Sequence, residues 1–163
     1  MSIPRIDPEI DSCIAAADHV DIHSGTTTRP LRSALAAMIS WQPWWLKGLY
    51  VLRTFLAPLF GIRIVGIPPT WHGSPDEIPF QPGERIFIGT VWKCAEDRWW
   101  SVEADDRHLR VVLLLLRLPG ERTETDIHLV TAVFLNTWRG RLYHRVILPF
   151  HRRIVRAMLS RAA

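Results

Sequence analysis

The stretch "HLRVVLLLLRL", His108 to Leu118, constrains the fold more than any other part of this chain. His108 stands in register with Arg110, Val112, Leu114 and Leu116, while Leu109, Val111, Leu113 and Leu115 fill the alternate positions. Successive side chains of a strand point to opposite faces, so this strand is apolar on both. A plain single-layer meander leaves one face wet; here both need a cover. A C-terminal helix can supply one. The other calls for a dimer partner or a second strand layer, because such a patch is unusual on a monomer surface. A homodimer is the expectation.

The neighbours of that strand are legible as well. "RIFIGTVWKC", "RWWSVEA" and "TETDIHLVTAVFLNTW" are β-branched and aromatic runs, separated by "AED", "DD" and "PGER". With the aliphatic run they predict a four-stranded antiparallel meander. Earlier, "ADHVDIHSG" sets Asp18, Val20 and Ile22 against His19, Asp21 and His23, a short first strand ended by Gly25. Thr28 and Pro30 introduce a short helix over "LRSALAAMIS". Pro43 opens a second, where Trp45, Leu49, Leu52, Leu56 and Leu59 recur at three and four and Gly61 supplies a stop. Between Gly66 and Gly83 five prolines forbid regular structure, and a loop of that length is often a lid or mouth.

After Gly140 comes "RLYHRVILPFHRRIVRAMLSRAA". At about 100° per residue, Leu142, Val146, Ile147, Phe150, Ile154 and Met158 share one broad face of a helix, and Arg141, Arg145, Arg152 and Arg156 the opposite one. Pro149 should kink this helix or open its second half. The order of elements makes an α+β chain. Its 163 residues suit one domain, taken as 17–163 behind an N-terminal extension over 1–16.

Charge is unevenly placed. Seven of the twenty bases lie in the last 25 positions, which hold no acid; the remainder has thirteen bases against sixteen acids, a net −3. A basic end on a slightly acidic body suits an anionic ligand, a membrane surface or nucleic acid, though a solvated helix face is the commoner reason. No nucleic-acid reading motif accompanies the arginines, so no nucleic acid is expected. Cys13 and Cys94 lack a CxxC or His-rich companion, which excludes a disulfide framework or zinc motif. "MSIPRIDPEID" is no signal peptide, and residues 44–67 carry Lys47, Arg53, Pro58 and Arg63, a poor membrane span. A cytoplasmic location is expected, with membrane-surface contact left open.

The motifs "DDRHLRVVLLLLRL" and "GRLYHRVILPFHRRIVRAML", together with "ADHVDIHS" and "LRTFLAPLFG", resemble an uncharacterised bacterial family of the START-like SRPBCC superfamily over about residues 17 to 160. The resemblance implies a helix-grip fold, a curved antiparallel sheet around a long C-terminal helix. It also implies a space between sheet and helix for a small apolar or amphipathic molecule. Some members of the superfamily are cyclases or dehydratases, which makes an enzyme the alternative, and fold alone does not choose. Some relatives are similar to domains fused behind a nucleotide-binding reductase. With no GxGxxG here, a dinucleotide partner would be a separate chain and no cofactor is expected.

Candidate residues follow. Trp92 and Trp100 offer broad apolar walls to a pocket, with Trp99 turned to the outer face, and Phe150 and His151 would border the space from the terminal helix. His144 and His151, seven apart, lie nearly superposed at the edge of the apolar face. Without an accompanying acid on that helix they make no metal site. His108 and His151 are the weak candidates for a catalytic base. Asp105 and Asp106 diverge on a strand and suit a hairpin corner better than a carboxylate pair. His72, Ser74, Asp76 and Glu77 in "WHGSPDE" lack a GxSxG elbow or HExxH helix and default to loop polarity. A module acting through the terminal arginines and the tryptophan-rich second helix is the third reading.

Overall fold

Among the residues that the computed structural model describes, 5–59, 61, 70–119 and 125–162, six antiparallel strands form one curved sheet. They are β1 (His19–Thr27), β2 (Arg85–Ile86), β3 (Gly89–Ala95), β4 (Trp99–Asp105), β5 (Arg110–Leu118) and β6 (Thr125–Phe134), in spatial order β1-β6-β5-β4-β3-β2. The aliphatic run is β5. It sits between β4 and β6, as a strand apolar on both faces must.

The helices are α1 (Pro8–Ala16), α2 (Leu31–Ser40), α3 (Trp44–Leu59) and α4 (Trp138–Ala162). Odd-numbered residues of β5 turn inward: Leu115 joins a core with Trp100, Leu129, Leu35, Met38 and Val155, and Leu113 packs against it. Even-numbered ones turn outward: Leu114 and Leu116 join Trp99, Val130 and Ile10. The outer cover is therefore α1. The second face, for which a partner chain was the expectation, is closed by the segment set apart as an N-terminal extension.

Local chemistry explains α1. Asp7 caps it, accepting from the Glu9 and Ile10 amides at 3.0 and 3.3 Å, Pro8 opens it, and acids fill its first turn. Ile10 is 1% exposed. Lys93 ties the helix to the sheet through Asp7 at 3.0 Å and through Glu9. The lysine lies in a bulge of β3, between Val91 and Cys94, stapled by Ser101: its hydroxyl accepts from the Lys93 amide at 3.0 Å and donates to the Lys93 carbonyl at 2.7 Å.

Several sequence expectations change. β1 runs through Gly25, which pairs with Ile127 and lies under the Leu159 side chain of α4. "RIFIGTVWKC" turns at Phe87 and Ile88 and so divides into β2 and β3, and Gly89, which opens β3, meets the Glu103 carbonyl so closely that a Cβ would fall 2.2 Å from its oxygen. α2 takes its cap from afar: Asp97, in the β3–β4 turn, accepts from the Leu31 amide at 2.9 Å. α4 continues without interruption through Pro149, which lies on its exposed side. Of the proline-rich loop, the described part packs down: Ile78 and Phe80 are buried in the inner core, and the Trp100 indole donates to the Pro79 carbonyl at 2.9 Å. Residues 66–69 of that loop lie outside the described residues.

Candidate functional site

The inner face of the sheet is covered at a distance. β1 carries α4, with α2 packed beside it, and α3 leans on α4 as well. Between sheet and helices lies a cavity of about 1740 Å³, open to solvent on part of its surface. Leu113, Leu129 and Val133 form its sheet wall, Ile147, Ile154 and Met158 its α4 wall, and Met38, Ile39, Leu46 and Leu49 its third side. These walls are apolar, with a few polar groups among them.

One end of that cavity is polar. Thr131, buried in β6, lies with its Oγ1 3.2 Å from His151 Nε2. Beyond His151 stands a set assembled from β1 and α4. Asp21 bonds His23 Nε2 at 2.9 Å and Arg152 Nε at 3.3 Å, and the His19 and His144 rings meet at 4.8 Å between centroids. The alternation in β1 builds this set: Val20 and Ile22 go to the outer cluster, so His19, Asp21 and His23 must face inward.

Burial governs the protonation of these groups. Loss of water pushes the His151 imidazole down to about 4, against the opposing pull of Asp21 and with help from His144, His23 and His19. His144 is lowered too, by burial first and then by the charges of His19 and Arg152. Asp21 is pushed up by burial, yet its bonds to His23 and Arg152 prevail and hold it below the usual aspartate value. The Nε2 atoms of His19 and His144 are buried and make no hydrogen bond among the described residues. Neutral imidazoles tolerate this far better than charged ones. No group of three or more His, Cys, Asp or Glu among the described residues is arranged to hold a metal ion.

The sequence candidates fall as follows. Trp100 is a wall of the cavity, buried on the inner face. Phe150 and His151 border the same space. Trp92 also borders it, although its packing neighbours are those of the outer cluster and its ring lies 5.9 Å from Lys93 Nζ. Trp99 is in the outer cluster, as its parity requires.

His108 reaches the cavity from the other end but is committed to structure. It is 9% exposed, its Nδ1 lies 3.0 Å from Thr137 Oγ1, and its carbonyl accepts from the Asn136 amide at 3.1 Å. Thr137 Oγ1 also accepts from the Gly140 amide at 3.1 Å, which makes it the cap of α4. A Cβ at Gly140 would lie 2.3 Å from the His108 carbonyl oxygen, so only glycine fits. The "DDRHL" corner is thus the clasp that docks the meander onto the start of α4; Asp106 closes it by donating its amide to the Leu109 carbonyl at 2.9 Å.

Thr131 and the inward trio of β1 were not among the sequence candidates. His19 on β1 and His144 on α4 are 125 positions apart, and only the packing of α4 against β1 brings them together.

A family model described as "Protein of unknown function (DUF2867)" matches residues 13–158, from within α1 almost to the end of α4. No curated protein and no solved structure matches the chain. The chain belongs to this DUF2867 family.

Proposed function

We propose that the protein is a helix-grip member of the START-like SRPBCC superfamily that binds a small apolar or amphipathic molecule in the cavity between the sheet and α4. The cavity itself carries this reading: its volume admits a molecule of lipid or polycyclic size, and its walls are aliphatic on three sides. The curved six-stranded sheet and the 25-residue terminal helix support the superfamily assignment.

His151 and Thr131 would receive the polar end of such a ligand. A histidine held near 4 is a weak base at neutral pH, which favours anchoring over proton abstraction and places binding ahead of cyclase or dehydratase chemistry.

A brominated fatty acid that quenches tryptophan on contact tests the reading. Quenching is expected to fall sharply in Trp100→Phe and to survive in Trp44→Phe, whose indole lies on the outside. Leu113→Trp, which fills the space, should weaken binding by at least about tenfold. If Leu113→Trp and Trp100→Phe both leave quenching unchanged, the cavity is not the binding site.

A further inference from the structure

The strangest surface of the molecule is the solvent side of α3. Trp44 is 85% exposed, Leu59 76% and Phe55 72%, and Val51 and Leu52 are open as well. With Gly48 these residues fall on one side of the helix, while Leu46, Leu49, Ala57 and the half-buried Leu56 face the protein. α3 is therefore apolar toward water. A contiguous apolar patch on a soluble chain marks a contact surface.

A second stripe runs along α4, where Trp138, Leu142, Val146 and Phe150 are exposed at intervals of four. The two helices lie side by side and antiparallel: Arg153 stacks on Trp45 near the start of α3, and Arg139 approaches Gly61 beyond its end. Arg141, Arg145, Arg152 and Arg156 flank the α4 stripe on its far side, all of them exposed. α2, α3 and α4 hold ten basic residues and no acid, whereas the rest of the chain has ten bases and sixteen acids.

This charge pattern decides what the face fits. A second copy docked by a two-fold axis would set one acid-free basic layer against another, with nothing to neutralise either. An anionic lipid surface offers what the face lacks: negative headgroups for the arginines and a hydrocarbon boundary for Trp44, Phe55 and Leu59. No helix among the described residues is long and apolar enough to cross a membrane, so the contact is one of lying on the surface. We propose that the exposed faces of α3 and α4 dock this protein on an anionic lipid bilayer. The contact does not depend on the cavity holding a ligand, although Leu52 and Phe150 belong to both surfaces and place the cavity beside the lipid.

Flotation of the full chain with vesicles of phosphatidylcholine alone, or of phosphatidylcholine with phosphatidylglycerol, is the test. Binding is expected to the anionic vesicles only, and to weaken as salt rises from about 0.05 to about 0.3 M. Each arginine at an anionic surface contributes roughly fivefold in partitioning, so Arg145→Gln with Arg156→Gln should lose about 30-fold. Trp44→Ser with Phe55→Ser should lose at least about tenfold through the apolar contact alone. All four residues are exposed, and unchanged far-UV circular dichroism would confirm the fold of each double variant.

Absence of binding to anionic vesicles at low salt overturns the proposal. So does binding that ignores lipid charge and both double variants. A dimer in solution that dissociates in the Trp44→Ser, Phe55→Ser variant, without vesicle binding, would assign the face to a second copy instead. The Trp100 quenching experiment in detergent-free solution reads the cavity separately, so either conclusion can fail alone.

Discussion

The two faces of one sheet are built from the same strands and the same residue types, yet they end differently. Outward, Leu114, Leu116, Val130 and Trp99 are sealed by a nine-residue helix lying directly on them. Inward, Leu113, Leu129 and Val133 look across a cavity to helices that lean on one another as much as on the sheet. The difference is in the cover. A short helix with one small apolar edge can sit flush, and its acids stay outside to bond Lys93. A long helix held at its ends, by the His108–Thr137 clasp at one and by Thr27 bonding the Ala162 carbonyl at the other, spans the concave face without filling it. Burial on the outer face is therefore structural, and the slack on the inner face is what a ligand can use.

The strongest way to break this contrast is to unseat α1. Ile10→Asp places a carboxylate in the middle of the outer cluster and should destabilise the fold by about 4 kcal/mol. It should also expose the outer face, seen as concentration-dependent association in sedimentation velocity. A variant that stays monomeric and nearly as stable would mean that α1 is not the cover.

Paired truncations sharpen the same contrast. Leu116→Ala opens a void in a packed cluster and should cost about 3–4 kcal/mol. Leu113→Ala, whose side chain already borders open space, should cost about 1 kcal/mol, since little new cavity is created and the apolar area it keeps from water is small. Urea unfolding of both reads the difference, and equal losses would show the inner space to be as well packed as the outer.

Period-two alternation correctly sorted β5 into two apolar faces and turned Trp99 and Trp100 apart, because in a sheet parity alone fixes direction. The capping signal of α1, Asp7 with Pro8 and acids behind them, stands in "DPEIDSCIAA", but a nine-residue helix with one small apolar edge carries too little periodicity to mark it as the cover, and a dimer partner or a second strand layer is what the sequence suggests instead. Periodicity misled on the helices for a different reason. On α3 apolar residues spread over most of the circumference, with Lys47, Arg53 and Thr54 scattered among them, so spacing does not say which side is buried, and Leu52 and Leu59 face water rather than the core. On α4 the apolar arc is wider than the buried one. Leu142, Val146 and Phe150 lie outside it, while Tyr143, Val155 and Leu159 are its centre. The polar end of the cavity joins β1 to α4 across the whole length of the chain, and no local pattern contains it.

That polar end gives the inner face a dependence on pH in the range between about 4 and 6.5. His151 sits near 4 in the fold against 6.5 for an unburied imidazole. Between those values the unfolded chain binds a proton that the folded chain refuses, so stability is complete above pH 6.5 and is lost as the pH falls toward 4. Two and a half units correspond to about 3 kcal/mol, and water entering the cavity brings the expected loss to about 2 kcal/mol. Asp21, His144, His23 and His19 act on His151 from beside it, with Arg152 bonded to Asp21; His144, lowered in the same direction, adds to the loss, and Asp21 adds its own only below its ordinary 3.8. His151→Gln keeps a partner for Thr131 and carries no titrating ring, so its urea midpoint should fall much less between about pH 7 and about pH 4.5 than that of the parent. A parent and a variant that lose stability in parallel over that range would take the role from His151 and leave His144, lowered in the same direction, as the next group to replace.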